Sequence, residues 1–132
     1  MVITVYMASI FSFFKRVKKN YREFPREQAR EVLAVYDEDQ TIMLGRIIDL
    51  SIGGMLVASE FSIQIGNDVR LAIEIPQPNG DTETLWMRCK SVRQDIDEKT
   101  GACKIGFHFT ERSPGKYKKI QKIIAREKSR IR

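Results

Sequence analysis

Two short groups of residues carry the side chains best suited to binding chemistry. Residues 22–26 (REFPR) have the form R-x-x-x-R, and residues 49–54 (DLSIGG) have the form D-x-S-x-x-G. The two guanidinium groups present planar sets of donors that fit phosphate oxygens or the Hoogsteen edge of guanine. The carboxylate adds an acceptor, the hydroxyl a small donor, and the glycine lets the backbone approach a ligand closely. Together the two groups predict a site for a phosphorylated guanine nucleotide.

Each group alone also has an ordinary structural explanation. Arginines before a first strand are commonly solvated, and D-x-S-x-x-G is a plausible turn, since Asp and Ser bond to local backbone and Gly permits positive φ. A second R-x-x-x-R, formed by Arg26 and Arg30, competes with the first. The Phe24-Pro25 pair lies between Arg22 and Arg26, and Arg30, which only the second register includes, is a secondary candidate.

The elements that must position these groups follow a strand-turn pattern. Between residues 31 and 110, β-rich runs alternate with polar turns and show no helical period. The predicted strands are Val32–Tyr36, Thr41–Leu50, Met55–Ala58, Val69–Ile75, Thr82–Gln94 and Cys103–Phe109. Six short strands of this kind predict a mostly β fold, a six-stranded closed or nearly closed antiparallel β-barrel.

A C-terminal α-helix is predicted after the barrel. Ser113 and Pro114 have the residue types of a helix cap and first turn, so we expect a helix over residues 113–130. Its apolar face is predicted to comprise Tyr117, Ile120, Ile123, Ile124 and Ile131.

Charge is divided unevenly along the 132 residues. Residues 1–30 carry seven basic and two acidic side chains, residues 31–111 seven basic and fourteen acidic, and residues 112–132 nine basic and one acidic. The net charges are therefore +5, −7 and +8, which sum to the +6 of the whole chain. An acidic body makes a dedicated nucleic-acid binder unlikely. Basic ends suit an anionic ligand at the end of the fold or an anionic surface.

The N-terminal segment, residues 1–20, is uncharged up to Phe14 and then basic. The uncharged stretch is too short for a bilayer span, and its charge order is the reverse of a signal peptide. Ile10, Phe14, Val17 and Tyr21 share one face of a helix, which predicts a short amphipathic helix. That helix would pack on the domain itself or on a partner, or would contact a membrane surface through aromatic residues and lysines.

Catalytic and metal chemistry find little support. Cys89 and Cys103 have no C-x-x-C spacing, and His108, the only histidine, stands in an alternating strand pattern. We expect both cysteines to be buried strand residues in a reducing cytoplasm, with no metal site and no enzyme activity.

Motifs, strand order and terminal helix together resemble the PilZ domain family, receptors for the bacterial second messenger cyclic di-GMP. The loop D-x-S-x-x-G lies between two β-rich runs as in that family, residues 105–109 (IGFHF) resemble its last strand, and a helix follows. The resemblance covers Tyr21 to Ile124, so residues 21–132 are predicted to be one PilZ domain that follows the N-terminal segment.

The resemblance implies roles for individual residues. Arg22 and Arg26 would hold the phosphates and guanine of cyclic di-GMP, Asp49 and Ser51 would bond guanine edge and phosphate, and Gly54 would shape the loop. Gly53 is a further permissive residue beside it.

Tyr21 departs from the family pattern, because many members have an arginine at this place. This position is thought to influence whether the ligand binds as a monomer or as an intercalated dimer. Tyr21 could stack on a guanine or pack on the barrel, so the stoichiometry stays open.

The function that follows is a non-catalytic cyclic di-GMP receptor or adaptor without other cofactors. Binding would move the N-terminal segment and alter contact with a downstream protein. Two alternatives remain: a PilZ-like adaptor with weak or no nucleotide binding, and a small barrel that binds nucleic acid through its basic ends.

Overall fold

The structure, a computed structural model, describes residues 14–16 and 32–131, and for 14–16 and 128–131 it describes the backbone alone. In chain order, the strands are β1 (Phe14–Arg16), β2 (Ala34–Tyr36), β3 (Met43–Leu50), β4 (Gly54–Ser59), β5 (Phe61–Ile63), β6 (Asp68–Pro76), β7 (Thr82–Ile96) and β8 (Cys103–Phe109), and the helix is α1 (Pro114–Ile131).

Six of these strands close into an antiparallel barrel, in the order β2-β3-β4-β8-β7-β6. Closure occurs because β2 pairs with β3 on one side and with β6 on the other. The predicted six-stranded barrel with a C-terminal helix is confirmed.

Alternating side chains explain why the strands form a barrel with a single core. On β7, Leu85, Met87, Cys89 and Ser91 alternate along the strand, point inward and are buried. On β8 the buried set is Cys103, Ile105, Phe107 and Phe109, whereas Lys104 and His108 are exposed.

Both cysteines are free and buried in this core, as the sequence predicts. Burial, with a smaller contribution from Glu111, raises the pKa of the Cys89 thiol to about 12. Burial, with a smaller contribution from Asp95, raises the pKa of the Cys103 thiol to about 11. Both thiols are therefore protonated at neutral pH, and their role is packing.

The register of the barrel shifts at three places. One shift lies between Val35 and Tyr36, where β2 pairs with β3, and the other two are β-bulges in β3 and β7. In β3, Ile47 pairs with Val57 and Asp49 pairs with Leu56, so Ile48 is an extra residue without a partner. In β7, the register shifts between Ser91 and Arg93, and Val92 is the extra residue. A bulge resets which side chains face outward, and here it places Asp49 and Arg93 on the outer wall.

The N-terminal segment gives a correction. Phe14–Arg16, expected within an amphipathic helix, is a strand that pairs antiparallel with β5, with Phe14 opposite Ile63 and Arg16 opposite Phe61. β5 was not predicted from the sequence. Its backbone edge offers a partner strand hydrogen bonds, whereas an isolated short helix is only marginally stable in water. The other residues of the expected helix lie outside the described residues.

Helix α1 is fixed to the barrel by its apolar face and by polar contacts. The N–H of Tyr117 donates to the carbonyl of Ser113 at 2.9 Å, which places the start of the helix where it was predicted. Ile120 and Ile123 are buried, whereas Tyr117 of the predicted apolar face is 48% exposed. Contacts from basic side chains add to this anchoring: Lys116 to Glu111, Lys119 to Glu83, and Arg126 to the carbonyl of Pro76.

Among the described residues, no helix is long and apolar enough to cross a lipid bilayer.

Candidate functional site

The loop between β3 and β4 is held rigidly against β8. The N–H of Ser51 donates to the carbonyl of Gly54 at 2.9 Å, and the Ser51 hydroxyl donates to the same oxygen at 3.3 Å. The N–H of Phe109 donates to the carbonyl of Gly53 at 2.8 Å. With its backbone fixed in this way, the loop leaves Asp49 and Ser51 exposed on the outer wall.

Gly54 is required for a close approach of two strands. A Cβ at this position would lie 2.1 Å from the carbonyl oxygen of Phe107, so β4 and β8 could not keep their spacing with any side chain there. Neither Gly54 nor Gly53 has a positive φ. A Cβ at Gly53 would meet nothing within 4 Å. The glycine that ends D-x-S-x-x-G is therefore required because a side chain would not fit beside β8. It is not required for a positive φ.

A groove of about 430 Å³ runs beside this loop over the outer wall. Asp49, Ser51, Gly53 and Gly54, all predicted site residues, line it together. The opposite side comes from β7 and β8, and its lining residues include Val92, Arg93, Gly106 and His108.

One row of paired residues crosses the groove. Asp49 pairs with Leu56, Leu56 with Gly106, and Gly106 with Arg93. Adjacent strands are about 4.8 Å apart, so the three steps from Asp49 to Arg93 separate the two backbone positions by about 14 Å. A half-buried leucine and a bare glycine backbone form the floor between them.

Arg93 reaches into this groove over Gly106. Its Cγ, Cδ and Nε atoms lie 2.9, 3.5 and 3.5 Å from the position that a Gly106 Cβ would take. The stem of Arg93 therefore crosses β8 in the direction of β4. Only a glycine at position 106 leaves room for this path.

A second row adds basic side chains beside the first. His108 pairs with Gly54 on one side and with Lys90 on the other. Both His108 and Lys90 are exposed, and of the two His108 lines the groove.

Sequence analysis missed Arg93, Gly106 and His108 as groove residues. His108 was predicted to be an ordinary residue of an alternating strand. Val92 would face outward by alternation, and Arg93 also faces outward because of the bulge at Val92. Strict alternation would turn the charged Arg93 into the core. This conflict is the signal in the sequence that could have indicated the bulge.

The remaining predicted site residues, Tyr21, Arg22, Arg26 and Arg30, lie outside the described residues. The described residues on either side of this segment, Arg16 and Leu33, are hydrogen-bonded or paired with other strands. Arg16 pairs with Phe61, and the N–H of Ile47 donates to the carbonyl of Leu33 at 2.9 Å.

A second cavity, of about 310 Å³, lies behind the same loop. Ile52 and Gly53 form one side of it, and Met87, Phe109, Tyr117 and Ile120 are among the residues on the other. The loop thus separates the outer groove from an apolar space under helix α1.

No group of three or more His, Cys, Asp or Glu side chains that could hold a metal ion occurs in residues 14–16 and 32–131.

Two solved structures are similar to this chain in fold. The chain is similar to the inhibitor of motility MotI/DgrA of Bacillus subtilis, with a TM-score of 0.62 and 24% identity over 83% of this chain. It spans 55% of that protein's length. It is also similar to the PilZ domain of YcgR from Escherichia coli, whose structure was solved with c-di-GMP, with a TM-score of 0.50 and 22% identity over 88% of this chain and 95% of that one. At these identities the likeness shows the fold.

No curated protein sequence matches the chain. The model of the PilZ domain matches residues 20–126, which span the barrel, the loop D-x-S-x-x-G and most of helix α1. The chain belongs to the PilZ domain family.

Proposed function

We propose that this domain is a non-catalytic receptor for cyclic di-GMP that converts ligand binding into a movement of its N-terminal segment and a changed contact with a partner protein. The observation that carries the proposal is the outer groove, in which Asp49, Ser51 and Gly54 lie together. Similarity to the YcgR domain solved with c-di-GMP supports the choice of ligand.

The chemistry of the groove suits a guanine nucleotide. The Asp49 carboxylate accepts hydrogen bonds, and guanine offers N–H donors that adenine lacks at the same edge. The exposed Ser51 side chain lies within the same groove. The half-buried Leu56 provides an apolar surface for the flat face of a base.

Arg22 and Arg26 are the proposed ligands of the phosphates and guanine, with Arg30 as a secondary candidate. Residues 17–31 connect β1, which pairs with β5, to Leu33, which is bonded to β3. A segment of this length spans at most about 50 Å when extended. Leu33 is bonded to Ile47, two residues before the groove residue Asp49, so the arginine-bearing segment ends close to the groove.

Ligand binding would order this arginine-bearing segment over the groove. A dianionic ligand removes the mutual repulsion of the arginines, and each charge-assisted hydrogen bond contributes about 1.5–3 kcal/mol. Several such bonds would offset the entropy that the segment loses. We expect slower hydrogen exchange of residues 10–30 with ligand. Equal protection with and without ligand would remove this part of the proposal.

Calorimetric titration with cyclic di-GMP tests the function directly. We expect saturable binding by the wild type, a large loss in Arg26→Ala and Arg22→Ala, and no change in Lys99→Ala, where an exposed lysine lies in the turn between β7 and β8. Absence of binding by the wild type would exclude the receptor function. The same titration gives the number of ligand molecules bound per protein. The variant Tyr21→Arg tests whether the residue at position 21 determines that number.

The two alternatives predict different results in the same experiment. A nucleic-acid binder would prefer single-stranded DNA or RNA, with affinity that falls steeply with salt. An adaptor without nucleotide binding would contact its partner equally well after Arg22→Ala and Arg26→Ala are combined. The exposed face of α1, with Lys118 and Lys122, is a surface available to such a partner.

A further inference from the structure

We infer that Arg93 is a base-reading residue, whose guanidinium donates to the Hoogsteen edge of a guanine in the groove, and that Gly106 positions it. This inference rests on the proposed function, because it names how the same groove would select its ligand. Neither residue belongs to the R-x-x-x-R or D-x-S-x-x-G group.

The position of Arg93 is built into the barrel wall. The bulge at Val92 shifts the register so that Arg93 pairs with Gly106 on the outer surface. The missing side chain at Gly106 lets the stem of Arg93 lie across β8, with Cγ, Cδ and Nε within 3.5 Å of the place that a Cβ would occupy. The guanidinium is therefore carried over the groove from the side opposite Asp49.

Arg93 is also available for a ligand. Its side chain is exposed, and it forms no ion pair with any residue for which the structure describes a side chain. Asp49, the acidic residue in the same row, is three strands away and makes no such pair with it. A bound ligand could occupy the space between the two charges.

The floor next to Arg93 favours a base over a phosphate. Val92 is 52% exposed, Leu56 is half-buried, and Gly106 contributes only backbone. Such a surface suits the flat apolar face of a purine, and its Val92 and Leu56 side chains offer a phosphate no hydrogen-bond donor. An arginine beside a purine can donate two hydrogen bonds to O6 and N7 of guanine, an arrangement that adenine does not accept because its exocyclic group is a donor.

A comparison of two ligands tests this contact. Cyclic di-GMP and its analogue with 7-deazaguanine bases have the same phosphates and sugars but differ at N7. We expect the wild type to bind the analogue about tenfold more weakly, the size of one hydrogen bond to a charged donor. In Arg93→Ala the two ligands should bind with nearly equal affinity.

Gly106→Ala tests the positioning role without removing the charge. The three atoms nearest to its Cβ would all belong to the flexible stem of Arg93, so the barrel should fold while Arg93 is displaced. We expect the preference for cyclic di-GMP over the analogue to fall towards one, as in Arg93→Ala. Arg88→Ala is the matched control, because Arg88 is an exposed arginine on the same strand outside the groove lining, and it should keep the full preference.

The outcomes separate the two proposals. If the wild type binds cyclic di-GMP but does not distinguish the analogue, or if Arg93→Ala weakens both ligands by the same factor, Arg93 does not contact N7 and the inference is overturned. The second result would indicate a contact with phosphate. If the wild type binds neither ligand, the proposed function fails and the inference fails with it.

Discussion

Gly54 shows at the scale of one residue what the loop motif requires of the chain. The Phe107 carbonyl lies where a Cβ would be, and this neighbour is backbone of a paired strand that has no freedom to move aside. We expect Gly54→Ala to lower the free energy of unfolding by about 1–3 kcal/mol through overpacking. Urea denaturation measures this cost as a lower midpoint with an unchanged slope.

Gly53→Ala is the control for that experiment. It adds the same methyl group one residue earlier, where the structure has open space and no positive φ. We expect a change within about 0.5 kcal/mol. Equal destabilisation by both substitutions would contradict the steric role of Gly54 and would point instead to the flexibility of the whole loop.

The residue scale also shows where sequence reasoning stops. Asp49 and Ser51 could be named from the D-x-S-x-x-G spacing because the motif lies within one hairpin, although the outward direction of Asp49 depends on the bulge at Ile48. Arg93 and Gly106 could not be predicted, because their contact depends on a bulge and on pairing between two strands. Strict alternation would turn the charged Arg93 into the core, which hints at a bulge, but nothing in residues 92–93 identifies Gly106 as the partner of Arg93.

At the scale of elements, strand alternation was the reliable signal and short segments were not. The residues of β7 and β8 that the period-two pattern assigned to the core are the buried ones. β1 and β5 have three residues each, too few for a period to be visible, and they form only because they pair with each other. The apolar face of α1 was correct at Ile120 and Ile123 but too wide at Tyr117, which borders the second cavity.

The start of helix α1 is coupled to the barrel by Glu111. Its carboxylate accepts from Lys116 Nζ at 2.6 Å and from the N–H of Arg88 at 3.2 Å. The hydrogen bond from Lys116 is the main cause that lowers the pKa of Glu111 below its usual value, against a smaller opposing effect of burial. A group with a lowered pKa stabilises the fold above its unfolded pKa of about 4.3, and this contribution is lost as the pH falls through the lower folded value.

We therefore expect Glu111→Gln to reduce stability near pH 7 by up to about 1 kcal/mol, the range of partly exposed ion pairs. The difference from wild type should shrink as the pH falls below about 4.3, since the wild type loses the same interaction there. Thermal unfolding at several pH values between about 3 and 7 measures this. Glu98→Gln, in an exposed turn, serves as the control. A constant difference at every pH would contradict the role of the Glu111 charge.

At the scale of the whole molecule, charge is divided unevenly along the chain. Residues 31–111 have a net charge of −7, whereas residues 1–30 and 112–132 have +5 and +8. Three basic side chains of α1 are used to attach the helix: Lys116, Lys119 and Arg126. The basic residues before β2 are joined to the barrel through β1, so the strand pairing that the sequence did not predict has a consequence for binding.

That consequence is a segment anchored at both ends. Residues 17–31, which carry Arg22 and Arg26, begin at the strand paired with β5 and end at the strand bonded to β3. If Arg22 and Arg26 bind the ligand as proposed, a second anchor would raise their effective concentration near the groove and lower the entropy that they lose on binding. Deletion of residues 1–16 removes this anchor and leaves Arg22 and Arg26 in place. We expect the dissociation constant for cyclic di-GMP to rise by a few-fold, less than in Arg26→Ala.

The deletion also removes the charges of Lys15 and Arg16, so the combined substitution Lys15→Gln and Arg16→Gln in the full chain is the matched control. It keeps the backbone pairing with Ser62 and Phe61 and removes only the charge. If the anchor is responsible, this variant binds like the wild type and the deletion does not. If both variants lose affinity by the same factor, long-range attraction of the anionic ligand explains the effect. If neither changes affinity, β1 has no part in presenting the arginines, and the segment must be held by its connection to β2 alone.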